Sequence, residues 1–311
     1  MRTICLNQGS FELPESVATI GVFDGVHAGH QLLIGMVKDE AHRTGLSSMV
    51  ITFDRHPRQL FDPTFRPQVL TTLEEKQAIV ESLGIDVFVV LPFTKEFAEL
   101  TAHVFMQKVL HQQLNVKTLI TGYDNRFGRN RSEGFEDYVR YGKEMGMKVL
   151  RGKAAMIADR NITISSSVIR QLLSEEGKVE QMPRYLTRNY QLSGKVTPGE
   201  HIGRQLGFPT ANLEPLCAEK LLPASGAYAV WATLMDGQRR AAMMNIGTRP
   251  TFKGKQQTLE VNILDYEANL YGQIITISFV ARLREERKFD SPEALVNQLK
   301  KDQEQVKKIL I

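Results

Sequence analysis

The sequence predicts a doubly wound α/β domain, then an antiparallel β-barrel or sandwich closed by a C-terminal helix. In the first half, short apolar runs rich in β-branched residues alternate with amphipathic segments, which is typical of a parallel sheet covered on both faces. In the second half, strand-like runs follow one another without helices, and Asp236-Gly237 is a strong hairpin signal. A chain of 311 residues is long for a single hydrophobic core and suits two domains.

Composition narrows the classes of function. The formal net charge of +4 suits small anionic substrates but is too weak for the basic face of a nucleic-acid-binding protein. The two cysteines, Cys5 and Cys217, cannot form a disulfide framework, which predicts a reducing cytoplasm. No apolar run approaches the ~20 residues of a membrane span, so neither a signal peptide nor a membrane helix is expected.

Four parallel strands are predicted in the first half, each ending at turn-forming residues. They are Ala18–Phe23, Ser48–Phe53, Val87–Leu91 and Thr118–Thr121. Amphipathic helices are expected between them, and Thr72 with Glu75 forms a capping box for one of these helices. Ligands of such sheets bind beyond the carboxyl ends of the strands, which is where the turns at His27–His30, Asp54–Pro57 and Gly122 would meet.

The turn after the first of these strands is a candidate phosphate site. Asp24 and Gly25 form a turn, and a helix follows in which Leu33 and Val37 recur at helical spacing. A helix start presents backbone N–H groups and the positive end of the helix dipole, and His27 and His30 add side-chain donors. The alternative is a tight turn shaped by glycine, with surface histidines.

Two further segments could bind anions. Serines 165–167 favour a helix start, and Arg170 follows one turn later; a serine-rich cap is also common without any ligand. Arg126, Arg129 and Arg131 follow Gly122 and could hold a pyrophosphate, or they could be solvated loop charges.

The second half carries a glycine-rich loop over residues 199–212 that is not a Walker A loop. Thr210 and Asn212 offer neutral oxygens that suit a hard cation such as Mg²⁺. Glu260 alternates with apolar residues along its strand, and this pattern alone favours a solvent-facing carboxylate. The final helix is expected to start at Ser291 and Pro292, and the domain boundary is placed at about Arg184.

Several of these motifs resemble one known family. His-x-Gly-His after a strand is similar to the signature of the nucleotidyltransferase superfamily. Gly21-Val22-Phe23-Asp24-Gly25-Val26-His27-Ala28-Gly29-His30, Ile164–Arg170 and Gly207–Asn212 resemble motifs of the bacterial bifunctional riboflavin kinase/FAD synthetase family. The chain departs from that pattern at Ser167 in place of threonine, Asn125 in place of phenylalanine and Thr187 in place of glycine.

The resemblance implies a Rossmann-like nucleotidyltransferase domain at 1–183 and a β-barrel riboflavin kinase domain at 184–311. It implies that riboflavin and ATP give FMN, and that FMN and a second ATP give FAD and pyrophosphate. Mg²⁺ is the expected cofactor. The expected partners are riboflavin, FMN and ATP, with no nucleic acid or membrane, and the sequence does not give the oligomeric state.

The family motifs also imply a set of site residues. The catalytic residues are His27, His30, Ser166, Ser167 and Arg170 in FAD formation and Glu260 in FMN formation. The ATP-binding residues are Gly21, Phe23, Asp24, Gly29, Lys195, Gly203 and Pro209. The flavin-binding residues are Asp124, Asn125, Phe127, Asn245 and Arg284, and Thr210 and Asn212 hold the metal.

The two implied reactions need different chemistry. The phosphate of FMN is already an anion and needs no general base, so the site must instead neutralise charge on the ATP phosphates. A ribityl hydroxyl is a poor nucleophile, and a carboxylate such as Glu260 must take its proton.

Two other functions remain open from the sequence. His-Ala-Gly-His is also similar to a signature of aminoacyl-tRNA synthetases, although the β-domain and the weak basic charge oppose that interpretation. The departures at Asn125 and Thr187 are compatible with a flavin-binding regulator that has one inactive site.

Overall fold

The computed structural model describes residues 1–6, 12–62, 64–153, 156–157, 162–198, 206–251, 254–266 and 268–311. Gly203 and the rest of residues 199–205 lie outside the described residues. The chain forms two compact units, Met1–Ser166 and Ser167–Ile311.

The first unit is built on a six-stranded sheet with the order β1-β4-β3-β2-β5-β6, in which every pair is parallel. Its strands are β1 (Arg2–Cys5), β2 (Ser16–Ile20), β3 (Ser47–Phe53), β4 (Val87–Leu91), β5 (Val116–Thr121) and β6 (Lys148–Arg151), followed by the small antiparallel pair β7 (Met156–Ile157) and β8 (Ile162–Thr163). Its helices are α1 (Ala28–Thr44), α2 (Pro57–Phe61), α3 (Leu73–Ser82), α4 (Lys95–Ala98), α5 (Ala102–Val104), which continues as a π-helix (Phe105–Gln113), and α6 (Phe135–Glu144).

Helices cover both faces of this sheet. Successive residues of β3 belong to different hydrophobic clusters: Val50 packs with Val37 of α1 and Val80 of α3, whereas Met49 packs with Phe105 and Tyr138 on the other side. A strand buried on both faces reads as a continuous apolar run. The predicted doubly wound α/β class is therefore confirmed.

The four predicted strands are present, and the capping box at Thr72 and Glu75 is formed. The apolar pattern did not reveal β1 and β6, which are four residues long and carry exposed positions. The predicted first strand also ends earlier, at Ile20 rather than Phe23, and Phe23 takes a left-handed conformation with φ 49° and ψ 35°. That conformation removes the residue from the sheet.

The second unit is a closed antiparallel barrel with the strand order β10-β13-β12-β11-β14-β9, so the sandwich alternative is wrong. Its strands are β9 (Gln191–Thr197), β10 (Ala211–Pro215), β11 (Gly226–Thr233), β12 (Arg239–Thr251), β13 (Gly254–Ile263) and β14 (Ile274–Glu285). Its helices are α8 (Met182–Leu186) and α9 (Pro292–Leu310), while α7 (Ser166–Ser174) begins at the last residue of the first unit.

The predicted hairpin and C-terminal helix are both present. Gly237 turns between β11 and β12 with φ 81°, a conformation that glycine adopts without steric cost. The Ser291 hydroxyl caps α9 by accepting from the N–H of Ala294 at 3.2 Å. This helix packs on the outer face of the barrel, where Val306 lies in one cluster with Phe208 and Met243.

Candidate active sites

A strained turn links β2 to α1. Phe23, Gly25 and Val26 have φ values of 49°, 82° and 38°, and a positive φ at a β-branched residue is a genuine outlier. The Asp24 carboxylate holds the turn by accepting from the N–H groups of Leu70 and Thr71 at 2.9 and 3.1 Å. Asp24, predicted as an ATP-binding residue, thus organises the backbone of the turn.

Gly21 makes a close approach inside this turn. A Cβ at this position would lie 3.1 Å from the ring of Phe23, which folds back over the glycine. The Phe23 ring is buried and also meets the ring of His30 edge-on, with centroids 5.2 Å apart. Gly21 and Phe23, both predicted as ATP-binding residues, therefore pack together beside His30.

His27 and His30 form a stacked pair at the start of α1. Their ring centroids are 3.6 Å apart with an interplanar angle of 17°. The Nδ1 atom of His27 accepts from the backbone N–H of His30 at 3.3 Å and caps the helix, with Gly29 in the first turn. Since Nδ1 accepts, neutral His27 carries its proton on Nε2, which leaves that atom as a donor.

Both imidazoles are neutral at neutral pH. Burial lowers the pKa of His27 to about 4, and the carboxylates of Asp24 and Asp124 only partly oppose this effect. Burial also lowers the pKa of His30 well below its usual range, and nearby His27 and Lys76 lower it further. The pair can therefore donate hydrogen bonds to an anion without carrying formal charge.

Acid should destabilise the fold through His27. Its pKa is about 4 in the folded chain and close to 6.5 when unfolded, so the unfolded state binds the extra proton between these values. The resulting stability, about 3 kcal/mol, is fully present above pH 6.5 and is lost as the pH falls towards 4. Urea unfolding from pH 7.5 to 4.5 should show a shallower decline in His27→Asn, which keeps a capping oxygen. An unchanged decline in that variant contradicts the expectation.

Ser166 lies at this turn. Its hydroxyl donates to the backbone carbonyl of Asp24 at 2.9 Å, so the serine-rich segment is anchored to the histidine motif ~140 residues upstream. The helix predicted after the serines is present as α7. Within the second unit, Ser167 is exposed and Arg170 is half-buried.

The motifs of the sequence do not single out Lys76, which lies beside the same turn on α3. It is only 6% exposed, and its ammonium donates to the Val22 carbonyl at 2.6 Å and to the Thr52 hydroxyl at 3.2 Å. The sequence signal that could have indicated its burial is its position four residues before Val80, on the buried side of the helix.

A pocket of about 820 Å³ opens at the carboxyl ends of the strands. This volume is within the range of small-molecule sites. Asn125 and Phe127 line the pocket, whereas Asp124 is exposed and is not one of its lining residues. Its other lining residues include the phenylalanines 53, 61, 93, 97 and 105 and the cations Arg58, Lys95, Arg126, Arg129 and Arg131.

An unbroken series of aromatic contacts forms one wall of the pocket. Neighbouring ring centroids lie 5.3 to 5.6 Å apart along Phe53, Phe93, Phe97, Phe105 and Phe127. The series ends where Phe127 stacks on fully buried Tyr138 at 4.1 Å. The Tyr138 hydroxyl also accepts from the N–H of Phe127 at 3.0 Å. The ring of Phe127 is therefore held in a fixed place. The other phenylalanines of the series were not predicted from the sequence.

Asn125 joins two strand ends at the pocket. Its Nδ2 donates to the carbonyl of Ile20, the last residue of β2, at 2.6 Å. Since a carbonyl can face only the NH₂ group of the amide, this contact fixes the orientation of the side chain. The departure from phenylalanine at this position therefore ties the loop after β5 to β2.

Four of the predicted residues of the second unit lie in one row across the barrel. Asn212 of β10 is directly opposite Glu260 of β13, and Glu260 is opposite Asn245 of β12. The row continues through Ala227 of β11 to Arg284 of β14. Directly opposite residues place their side chains on one face with Cβ atoms ~4.5–5.5 Å apart. Strand pairing thus gathers residues from four separate motifs.

The segment before β10 is held against this row. Asn262 is 7% exposed and lies two residues after Glu260, on the same face of β13. Its Nδ2 donates to the carbonyl of Pro209 at 2.7 Å, which fixes the backbone just before Thr210. In the sequence, Glu260 and Asn262 alternate with apolar residues, and this alternation is the signal from which the position of Asn262 could have been predicted. Predicted Lys195 is exposed on β9.

Arg284 is held by the C-terminal helix. Its Nε and Nη2 atoms each lie 2.9 Å from Oδ2 of Asp302, which is 2% exposed. Gln298 donates to the other carboxylate oxygen of Asp302 at 2.7 Å. The predicted flavin-binding guanidinium is therefore fixed at one end of the row by a buried carboxylate.

Two protein-family descriptions match the chain. The FAD synthetase family matches residues 10–168, and the riboflavin kinase family matches residues 186–310. The first match contains the histidine turn and the aromatic pocket, and the second contains the row of residues across the barrel.

Curated relatives match nearly the whole chain and share one description, bifunctional riboflavin kinase/FMN adenylyltransferase. The protein of Haemophilus influenzae is 35% identical over 93% of this chain and 92% of its own. The Escherichia coli protein is 35% identical over 92% and 90%, and the Bacillus subtilis protein is 36% identical over 94% and 92%.

A solved structure has the same fold over its full length. A crystal structure described as a macrolide-efflux protein from Streptococcus pneumoniae superposes with a TM-score of 0.90 at 30% identity, covering 99% of both chains. In the part of this chain that the structure describes, no helix combines the length and apolar character needed to cross a membrane.

Proposed function

Since this chain belongs to the family of bifunctional riboflavin kinases/FMN adenylyltransferases, we propose that its two reactions use the two sites described above. The enzyme phosphorylates riboflavin with ATP to FMN and adenylylates FMN with ATP to FAD. We assign FAD formation to residues 1–183 and FMN formation to residues 184–311. Membership of this family also excludes the alternative that the chain is a relative of aminoacyl-tRNA synthetases.

In FAD formation, the FMN phosphate attacks the α-phosphorus of ATP and pyrophosphate leaves. The stacked histidines supply neutral donors at a helix start, where backbone N–H groups and the helix dipole favour an anion. Ser166 is placed beside them through the Asp24 carbonyl. Ser167 and Arg170, which follow on α7, are assigned as further donors to the phosphates. Donors that the fold holds in place would stabilise charge that develops on the ATP phosphates.

The aromatic pocket is assigned to the flavin of this first reaction. An isoalloxazine ring is flat and largely apolar, and it suits a wall of fixed phenylalanines that ends at Phe127. Asn125 lines the same pocket. The cations around the pocket suit the phosphate of FMN. Asp124, outside the lining, is assigned a contact at the exposed edge of the flavin.

In FMN formation, Glu260 is assigned as the base that takes the ribityl proton during attack on the γ-phosphate of ATP. The observation that carries this assignment is the row in which Glu260 lies between Asn212 and Asn245. Amide and hydroxyl oxygens are suitable ligands for Mg²⁺, and Asn212 with Thr210 would hold it beside the base. When bound, the ion would neutralise charge on the ATP phosphates.

The remaining assignments follow the same motifs. Lys195 and Pro209 are assigned to ATP in the kinase reaction, and Asn245 and Arg284 to riboflavin. We also assign the enzyme to the cytoplasm, since Cys5 and Cys217 are both free thiols.

Separate assays of the two reactions test the proposal. Purified full-length protein is incubated with riboflavin and ATP, or with FMN and ATP, each with Mg²⁺ or with EDTA. FMN and FAD should form with Mg²⁺, and FMN formation should stop with EDTA and return when Mg²⁺ is added in excess. FMN formation that continues in EDTA contradicts the metal assignment, and Thr210→Ala with wild-type FMN formation contradicts its ligand.

A further inference from the structure

Lys76 brings a charge into the interior next to the histidine turn. Its ammonium contacts the Val22 carbonyl and the Thr52 hydroxyl, and the Thr52 hydroxyl itself donates to the Val22 carbonyl at 3.2 Å. The three polar groups hydrogen-bond to one another and so connect α3 and β3 to the residue that precedes Phe23. The lysine is thus attached to the backbone immediately before the strained turn.

Folding energetics do not account for this lysine. Removing an ammonium from water is costly unless a charge partner or several hydrogen bonds compensate. The described residues place no carboxylate within ion-pair distance of its Nζ. Burial accordingly lowers the pKa of Lys76 to about 8, although Asp24 favours the charged form. The Val22 carbonyl would keep Thr52 as a donor without it, so an apolar side chain of similar length would satisfy the fold.

The charge acts on the histidine pair. The ionisable groups facing Lys76 are Asp24 on the turn and His30 on α1, with His27 stacked on His30. Burial is the main cause of the lowered pKa of His30, and the positive charge of Lys76 lowers it further. A neutral imidazole next to a cation retains its role as a donor while the cation supplies the positive field that an incoming polyphosphate requires.

We propose that Lys76 is a positioning residue of FAD formation, whose buried ammonium fixes the Val22 carbonyl immediately before the strained turn and so holds the backbone that leads to His27 and His30. This inference rests on the proposed role of the histidines in that reaction. Lys76 acts through the turn and the imidazoles.

The decisive variant is Lys76→Met, compared with Lys38→Met. Lys38 is exposed on α1, and its ammonium also donates to a backbone carbonyl, that of Leu83, at 3.1 Å. In Lys76→Met, kcat for FAD formation should fall about tenfold or more, while FMN formation and the midpoint of urea unfolding should stay at wild-type values. Lys38→Met should leave all three quantities unchanged.

A second measurement separates positioning from a structural effect. The ring signals of the histidines are followed by NMR in the full-length protein at pH 7.5; those of His27 and His30 should shift in Lys76→Met, whereas that of His42 should not. Wild-type FAD formation in Lys76→Met, or a loss of activity with unchanged His27 and His30 signals, overturns the inference. If His30→Ala itself keeps wild-type FAD formation, the proposed function of the histidines fails instead.

Discussion

Glu260→Gln is expected to abolish FMN formation from riboflavin and to leave FAD formation from supplied FMN intact. Glutamine keeps the size and hydrogen-bonding reach of the side chain but cannot accept the ribityl proton, and general-base catalysis contributes about 10²- to 10⁴-fold. Asn212 and Asn245 flank the position on both neighbouring strands, so the substitution leaves the rest of the row in place.

The matched control is Glu304→Gln, the same exchange at an exposed position of α9. Both reactions should proceed at wild-type rates in that variant. Product formation is followed by chromatography of riboflavin, FMN and FAD in separate incubations. Equal loss of both activities in Glu260→Gln, or full retention of FMN formation, would refute its role as a dedicated base.

His30→Ala is expected to slow FAD formation from FMN by about 10²- to 10³-fold, which corresponds to roughly 3–4 kcal/mol for the loss of one preorganised donor. The alanine removes the imidazole that stacks on His27 and meets Phe23, but the His30 backbone N–H that donates to His27 remains. FMN formation should therefore continue at the wild-type rate, since the residues proposed for it lie on the barrel.

His42→Ala is the control, because His42 is exposed in the last turn of the same helix. It should leave FAD formation unchanged. His30→Gln retains an N–H donor at this position and should recover part of the lost rate. Wild-type FAD formation in His30→Ala would show that the role is misassigned.

The sequence predicted those parts of the fold that carry a strong hydrophobic pattern. Buried strands such as β4 are continuous apolar runs, and the barrel strands followed one another without helices. Strand β1 escaped prediction because it is short and half-exposed, and its pairing with β4 joins residues about 85 positions apart. Strand β10 follows a glycine-rich segment of the sequence and gains its register from β9 and β13. Such non-local pairing leaves no local signal.

In the candidate sites too, residues within a local motif were predicted, whereas residues set by non-local contacts were not. Motifs identified His27, His30 and Glu260, but the partners that position them are set by tertiary contacts. Lys76 and Asn262 act on backbone carbonyls of other segments, at Val22 and Pro209. A lysine on the buried side of a helix and an asparagine alternating with a glutamate were the signals available. Neither signal indicates which backbone carbonyl the side chain binds.

The row across the barrel has a consequence for how the second unit tolerates sequence change. Its members are spaced by backbone hydrogen bonds between strands, and the barrel leaves no edge along which a strand could shift without disturbing a neighbour. Deleting one residue from β13 before Glu260 would exchange the inner and outer faces of the strand beyond that point. In such a length variant the carboxylate would point into the apolar interior, so we expect the site proposed for FMN formation to be more sensitive to chain length than to most side-chain exchanges.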